Sequence, residues 1–520
     1  MRLQQMLRIR VLLGCVLVLA SLGCKVTAED IEYWKGTVKG PGKIVAVLLS
    51  EKYPLELRTT AALALVEMER NDVDGVAELQ RGVQRLDDAT RSQVIDQMTP
   101  GLEELMRGSD TAQDDETGPP GTQVRAKDAA YLLITHAEGE VRERLVRSVV
   151  GWYVVDFNGR SLAGNYSAEQ IIRSLGGPAA EMLVDALNAE MPQRALVKLA
   201  ELISQLGSPE TKQRAAARLV EIEQHQETDE FVEWLKNKVR EQMRVASPDT
   251  EIDENRVNAI AALNRENFIN DGALPAMKTL AAEAVVAERL LAIASIASTA
   301  DHMVERRKRA LQAMEGHATR AHLDRLLALA LNNDNPVPVR DYAFDRVGDI
   351  RSPEAIPPMW PLVAGSGSED AQRLRWRAGE MVLAIGGPRV VAEFFTKLPT
   401  EGELKYEPEE LEGYATRMSQ MSPPPTDLLR GQLRSPNWWN RVIALRYFER
   451  RGTEADIRQM QRLARDSAEV HGEHWEGMHI DNVGKVAEAA IAGLRERLAG
   501  GAGTAGAQPE DGGSDGSGSE

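Results

Sequence analysis

Apolar side chains recur every three or four residues along most of this chain. In "ALVKLAELISQLGSP" the residues Leu196, Leu199, Ile203 and Leu206 fall on one side of a helix, and polar residues cover the other. Gly207 then supplies a C-terminal stop, and Pro209 prevents the same helix from continuing. The same ending stands at Leu175-Gly176-Gly177-Pro178 and at Ile385-Gly386-Gly387-Pro388. The pattern predicts helices from about Ile31 to Arg107 and again from Val124 to about Leu498. Between them, "GSDTAQDDETGPPGTQ" (108–123) is acidic, rich in Gly and Pro, and without apolar period, so a flexible linker is predicted there. The final stretch, 499–520, is too rich in Gly, Ser and acid to build a core and is predicted to be a disordered tail. These limits give N-terminal helical repeats with a cap over 24–107 and a helical array over 124–498.

Helix ends of one recurring type imply a repeat, and superposing positions exposes it. Arg340, Ala343, Val347, Ile350, Pro353 and Ile356 form one set. A shift of 35 gives Arg375, Ala378, Val382, Ile385, Pro388 and Val391, and a shift of 101 gives Arg441, Ala444, Phe448 and Ile457. A weaker copy has Ala415, Pro425 and Leu428, so the alanines stand 35, 37 and 29 apart. Earlier, Ala168, Ile172, Leu175 and Pro178 fit the pattern, and Arg58, Ala61 and Leu65 fit its opening. This pattern resembles the HEAT-repeat family, in the short form related to phycobilisome-lyase repeats, over most of residues 41–498. The resemblance implies an all-α protein: an α-solenoid, or superhelix of antiparallel helix pairs, of HEAT/armadillo-like type. The physics is consistent with it. A single pair cannot bury both faces, so units stack, and a small alanine at a fixed place lets neighbouring helices approach. A tetratricopeptide array has a similar period, but its Trp, Leu-Gly and Tyr spacing is not visible here.

Composition sharpens the picture. Ala, Leu, Arg and Glu dominate and aromatics make up 5%, the balance of a helical body. The net charge is −17, and it becomes −20 once Arg2, Arg8 and Arg10 are removed. Such a body is repelled by nucleic acid and by anionic lipid, which excludes both as general partners.

The three arginines open the chain, and Val11 to Gly23 follows as a short apolar run, too short to span a bilayer. That order describes an export signal over 1–23. Its edge, Ala20-Ser21-Leu22-Gly23-Cys24, resembles the lipobox of bacterial lipoproteins, with Ser21 where that family most often has leucine. The resemblance implies cleavage before Cys24 and its acylation, which holds a soluble body on the membrane through the lipid alone. Apart from Cys15, inside the signal, Cys24 is the only cysteine, so no internal disulfide is expected. By the same resemblance, Lys25 rather than Asp after the cysteine implies the outer membrane, facing the periplasm. The alternative is a secreted soluble chain cleaved after Ala28.

Three stretches carry candidate chemistry. "WKGTVKGPGKIVAVLL" (34–49) has the glycines and lysine of a phosphate loop, but Gly36 and Gly42 are separated by five residues and Ile44 stands where a hydroxyl is needed. It reads better as a cap in which Trp34 covers the first repeat. "HGEHWEGMHID" (471–481) gathers His471, His474 and His479 with Glu473, Glu476 and Asp481. These residues suit zinc, yet their spacing matches no metallohydrolase motif, so a solvated loop is the competing reading. "QRLRWRAGE" and "SPNWWNRVIALRYFERR" concentrate Arg and Trp, the residues most often central to interfaces. Arg373, Trp376, Arg377, Trp438, Trp439 and Arg446 are thus candidates for a binding groove, while ordinary core and stacking contacts are the other reading of them.

The chain is therefore expected to be a membrane-tethered cell-envelope scaffold or adaptor that binds protein partners, needs no cofactor and is not an enzyme. The alternative is an enzyme on the same scaffold, either metal-dependent at the His471 loop or, as the lyase resemblance implies, chromophore-attaching.

Overall fold

The computed structural model describes residues 26–69, 72–107, 121–156, 168–248, 251–366, 368–400 and 405–504. The expected signal segment with Cys24, most of the expected 108–123 linker and everything beyond Thr504 lie outside these residues. Among the described residues the regular elements are helices, and the one extended pairing is an isolated antiparallel bridge between Glu469 and Asn482. The fold is an all-α solenoid of antiparallel helix pairs. No described helix is long and apolar enough to cross a membrane.

The chain divides into two compact units, Met1–Arg289 and Leu290–Glu520. In the first, Gly40–Leu49 and Leu55–Val66 form a hairpin, and Leu55–Val66, Asp88–Arg107 and Gly139–Asp156 pack side by side in chain order. Gly177–Ala186 with Gln193–Leu206 is a further pair. In the second unit, Leu323–Leu331 pairs with Val337–Ile350, Ile356–Val363 with Glu369–Gly386, and Thr426–Gln432 with Trp438–Arg451. One layer of that unit runs Asp301–Ala313, Val337–Ile350, Glu369–Gly386, Pro408–Ser419, Trp438–Arg451, Val483–Thr504, each helix against the next.

The repeated positions explain the stacking. Ala61, Ala343, Ala378, Ala415 and Ala444 are all fully buried, as are Val347, Val382 and Phe448. The repeated arginine has a defined task. Arg58 Nε donates to Leu48 O at 2.8 Å, Arg340 Nε to Ala330 O at 3.2 Å and Arg375 Nη1 to Gly365 O at 3.2 Å. Arg441 Nη1 reaches Ser435 O and Pro436 O at 2.7 and 2.9 Å. Each guanidinium answers carbonyls at or just past the end of the preceding helix, where the last turn leaves acceptors free and the helix dipole is negative. Outside the superposed set, Arg307 does the same at Ala294 O, and Arg125 answers Val66 O at the end of Leu55–Val66, an earlier helix. These charge-assisted bonds each contribute roughly 1.5–3 kcal/mol.

The expected stops stand where Gly207 ends Gln193–Leu206 and Pro209 opens Pro209–Gln226. Gly176 and Gly387 take positive φ of 65° and 59°, which a side chain there would resist. Two limits differ from expectation. A helix begins at Thr122, inside the expected linker, because Arg125 ties Thr122 Oγ1 and Val66 O together. The last helix runs on to Thr504, its Arg497 fastened to Glu449 O at 3.1 Å.

Candidate functional site

The layer in the second unit presents a face made by Val337–Ile350, Glu369–Gly386 and Pro408–Ser419. Acids on one helix meet arginines on the next. Arg373 pairs with Asp341 and with Asp370, the latter at 2.6 Å. Arg377 pairs with Asp345 and lies 3.2 Å from Asp341. Arg450 donates to Glu412 at 2.5 Å. The sequence offered a signal for this ladder: Asp341–Arg373 and Asp345–Arg377 are each separated by 32 residues, close to one repeat.

Between these helices lies a groove of about 600 Å³ whose lining includes Asp345, Arg351, Arg377, Met381, Arg417 and Met421. Arg351 and Arg417 are exposed and have no ion-pair partner among the described residues. Arg351 also takes a left-handed backbone, φ 50° and ψ 32°, at the end of its helix. An L-residue pays roughly 1–2 kcal/mol there, and such strain concentrates at functional positions. Neither arginine was among the sequence candidates.

Among those candidates, Arg377 lines the groove, and Arg373 belongs to the same ladder of ion pairs. Trp376, on the same helix, is half-buried, and its buried Nε1 has no hydrogen-bond partner among the described residues. Trp438, Trp439 and Arg446 are 8%, 5% and 8% exposed and pack in the interior. Their helix, Trp438–Arg451, is covered by Pro408–Ser419 and Val483–Thr504, and its first eleven residues are all buried. Trp439 stacks on Tyr406 at 5.2 Å, and Trp438 meets Tyr406, Trp475 and His471 edge-on. Arg446 donates to Glu449 at 3.0 Å, one turn along its own helix.

Beneath this face Arg375 and Glu410 form a buried bidentate pair at 2.8 and 2.8 Å. Tyr414 Oη donates to Glu410 at 2.8 Å, and the Tyr406 ring lies 4.0 Å from the guanidinium. Burial pushes the Glu410 carboxyl up, and Arg375 and Tyr414 oppose that shift.

The three loop histidines separate. His471 and His479 line a cavity of about 750 Å³ together with Glu473, Glu476 and Asp481. His474 instead turns to Glu409 Oε2 at 3.0 Å and Glu407 Oε2 at 4.0 Å. Glu409 and Glu407 hold its imidazole above the usual histidine range. Among the described residues the group whose donor atoms converge is Glu407, Glu409 and His474, without His471 or His479. The loop is ordered by the bridge Glu469–Asn482, by Val470 N–H to Asp481 O at 3.1 Å, and by Trp475 Nε1 to Tyr406 O at 2.7 Å. At the other end of the chain, Lys43 of helix Gly40–Leu49 holds its ammonium 4.9 Å from the Trp34 ring centroid, and Ile44 is buried. No strand precedes that glycine-rich turn among the described residues, and a phosphate loop requires one.

No family model matches the chain, and no curated protein matches it. Solved structures align with the chain at low identity. The karyopherin Kap121p bound to the SUMO protease Ulp1p is 15% identical, with 84% of this chain and 43% of that one covered and a TM-score of 0.34. A homology model of the full-length AP-3 complex in an intermediate open conformation is 12% identical, covering 90% and 84%, with a TM-score of 0.34. Importin beta in an ammonium sulfate condition is 12% identical, covering 91% and 62%, with a TM-score of 0.26. The chain spans less than half the length of the Kap121p chain in the first of these.

Proposed function

We propose that this protein is a protein-binding scaffold or adaptor, tethered to the bacterial cell envelope through acylated Cys24, at the outer membrane and facing the periplasm. The observation that carries the binding reading is the groove with two uncommitted cations. Met381 and Met421 supply apolar, adaptable lining, while Arg351 and Arg417 stand ready for carboxylates. The neighbouring arginines are already neutralised by Asp341, Asp345 and Asp370, so the local attraction concentrates on those two. A partner segment carrying carboxylates around an apolar core fits this chemistry.

The test is site-specific photo-crosslinking from position 421 in intact cells. A defined adduct is expected, and the double variant Arg351→Glu/Arg417→Glu is expected to lose it while keeping its helical circular dichroism. An adduct that survives both charge reversals, or no adduct at all, contradicts the groove as the binding surface.

A further inference from the structure

We propose that Glu407, Glu409 and His474 form a site for one divalent metal ion of the zinc class, which ties the 464–482 segment to the start of the Pro408–Ser419 helix. The donors come from two places far apart in sequence, and all three ligand atoms lie within 4.8 Å of one another. The imidazole Nδ1 is 3.0 Å from Glu409 Oε2 and 4.0 Å from Glu407 Oε2. A tetrahedral zinc with bonds of 2.0–2.2 Å spaces its ligand atoms about 3.3–3.6 Å apart. The two observed distances bracket that value. A shift of the exposed His474 imidazole by about half an ångström, away from Glu409 and toward Glu407, brings both toward it.

The Glu407 carboxylate and the His474 backbone are fixed without any ion. Glu407 accepts the Glu473 and His474 backbone N–H groups at 2.9 and 3.0 Å, which leaves further lone pairs on both carboxylate oxygens. His474 is next to Trp475, which is 1% exposed and bonded through Nε1 to Tyr406 O. Tyr406 N–H in turn donates to His471 O at 2.8 Å. Loop and helix are therefore held face to face by contacts outside the donor atoms, the arrangement that makes a ligand set precise. One imidazole nitrogen with two carboxylate oxygens suits zinc and its neighbours, whereas calcium and magnesium favour oxygen-only shells. Three protein ligands leave a fourth position, and the exposure of His474 and Glu409 opens it to solvent. This site is separate from the groove residues and stands or falls without them.

The test uses the untagged full chain, with zinc binding measured by calorimetry and by metal analysis after dialysis. One zinc per chain and a raised thermal midpoint are expected, and neither magnesium nor calcium is expected to reproduce the rise. Glu409→Gln and His474→Ala are each expected to weaken zinc binding by at least about tenfold, and His479→Ala to leave it unchanged. Both ligands are exposed, so the variants keep their fold, and Glu409→Gln preserves side-chain shape as the second line of evidence. Absence of zinc from the wild-type chain, binding that survives both ligand variants, or binding lost in His479→Ala overturns the proposal.

Discussion

A guanidinium taken out of water needs its N–H groups answered, and Arg375 obtains this from Glu410, Gly365 O and Lys405 O. Both charged partners are almost wholly buried, 0% and 3% exposed. Removing one partner strands the other, and that costs about 3–5 kcal/mol, whereas replacing both with apolar residues costs far less. Glu410→Gln is therefore expected to lower the urea midpoint sharply, and Arg375→Met/Glu410→Leu to recover much of the loss. Equal midpoints for Glu410→Gln and wild type would mean that the pair contributes nothing. Arg375 was legible as a repeat position, because its task is set by the helix end beside it. Glu410 was not, since nothing local to either residue announces a partner 35 positions away. The tryptophans show the converse. Trp438 and Trp439 have the composition of an interface, and only the helices on either side decide that they are core.

Helices were legible because their causes are local. Period, proline at the first turn, glycine at the end and capping residues act within a few positions of one another, as in Thr453 with Asp456 at the start of Glu454–Leu463. What a helix packs against is a different kind of information. Glu369–Gly386 and Pro408–Ser419 come close at Gly379, where an added Cβ would stand 2.6–2.8 Å from Tyr414 ring and hydroxyl atoms. Tyr414 cannot withdraw freely, because its Oη is shared between Glu410 and Arg375 O. Gly379→Ala improves helix propensity by about 1 kcal/mol in isolation, yet here overpacking of about 1–3 kcal/mol opposes it. The net expectation is a lower thermal midpoint, with loss of near-ultraviolet aromatic signal around Tyr414 and retained far-ultraviolet helicity. A variant as stable as wild type would show that the two helices can separate without cost. The sequence placed Ala378 in the repeat and said nothing of the glycine beside it, because the demand comes from the neighbouring helix.

For the molecule as a whole, the repeat determined the architecture more securely than any site, since it needs only a size and polarity pattern sustained along the chain. The division into units was not legible: it falls at Arg289 and Leu290, within helix Ala284–Ala294, where no Gly, Pro or acidic run marks it. The proposed attachment to a membrane rests on a different property, the placing of cysteine. The chain beyond position 24 has none, so once the proposed signal with Cys15 is removed Cys24 has no partner within the chain for a disulfide. On the proposed lipoprotein reading Cys24 is acylated, and at about 0.8 kcal/mol per buried methylene two or more chains are required for stable anchoring. Cys24→Ser is therefore expected to abolish fatty-acid labelling and to move the protein from the membrane fraction to the soluble one. Its thermal midpoint after detergent extraction should match that of wild type, because no body contact is lost. Reductant is expected to leave both midpoints unchanged. Fatty-acid label retained by Cys24→Ser, or wild type found soluble and cleaved after Ala28, would replace the tethered scaffold with a secreted one and leave the groove chemistry intact.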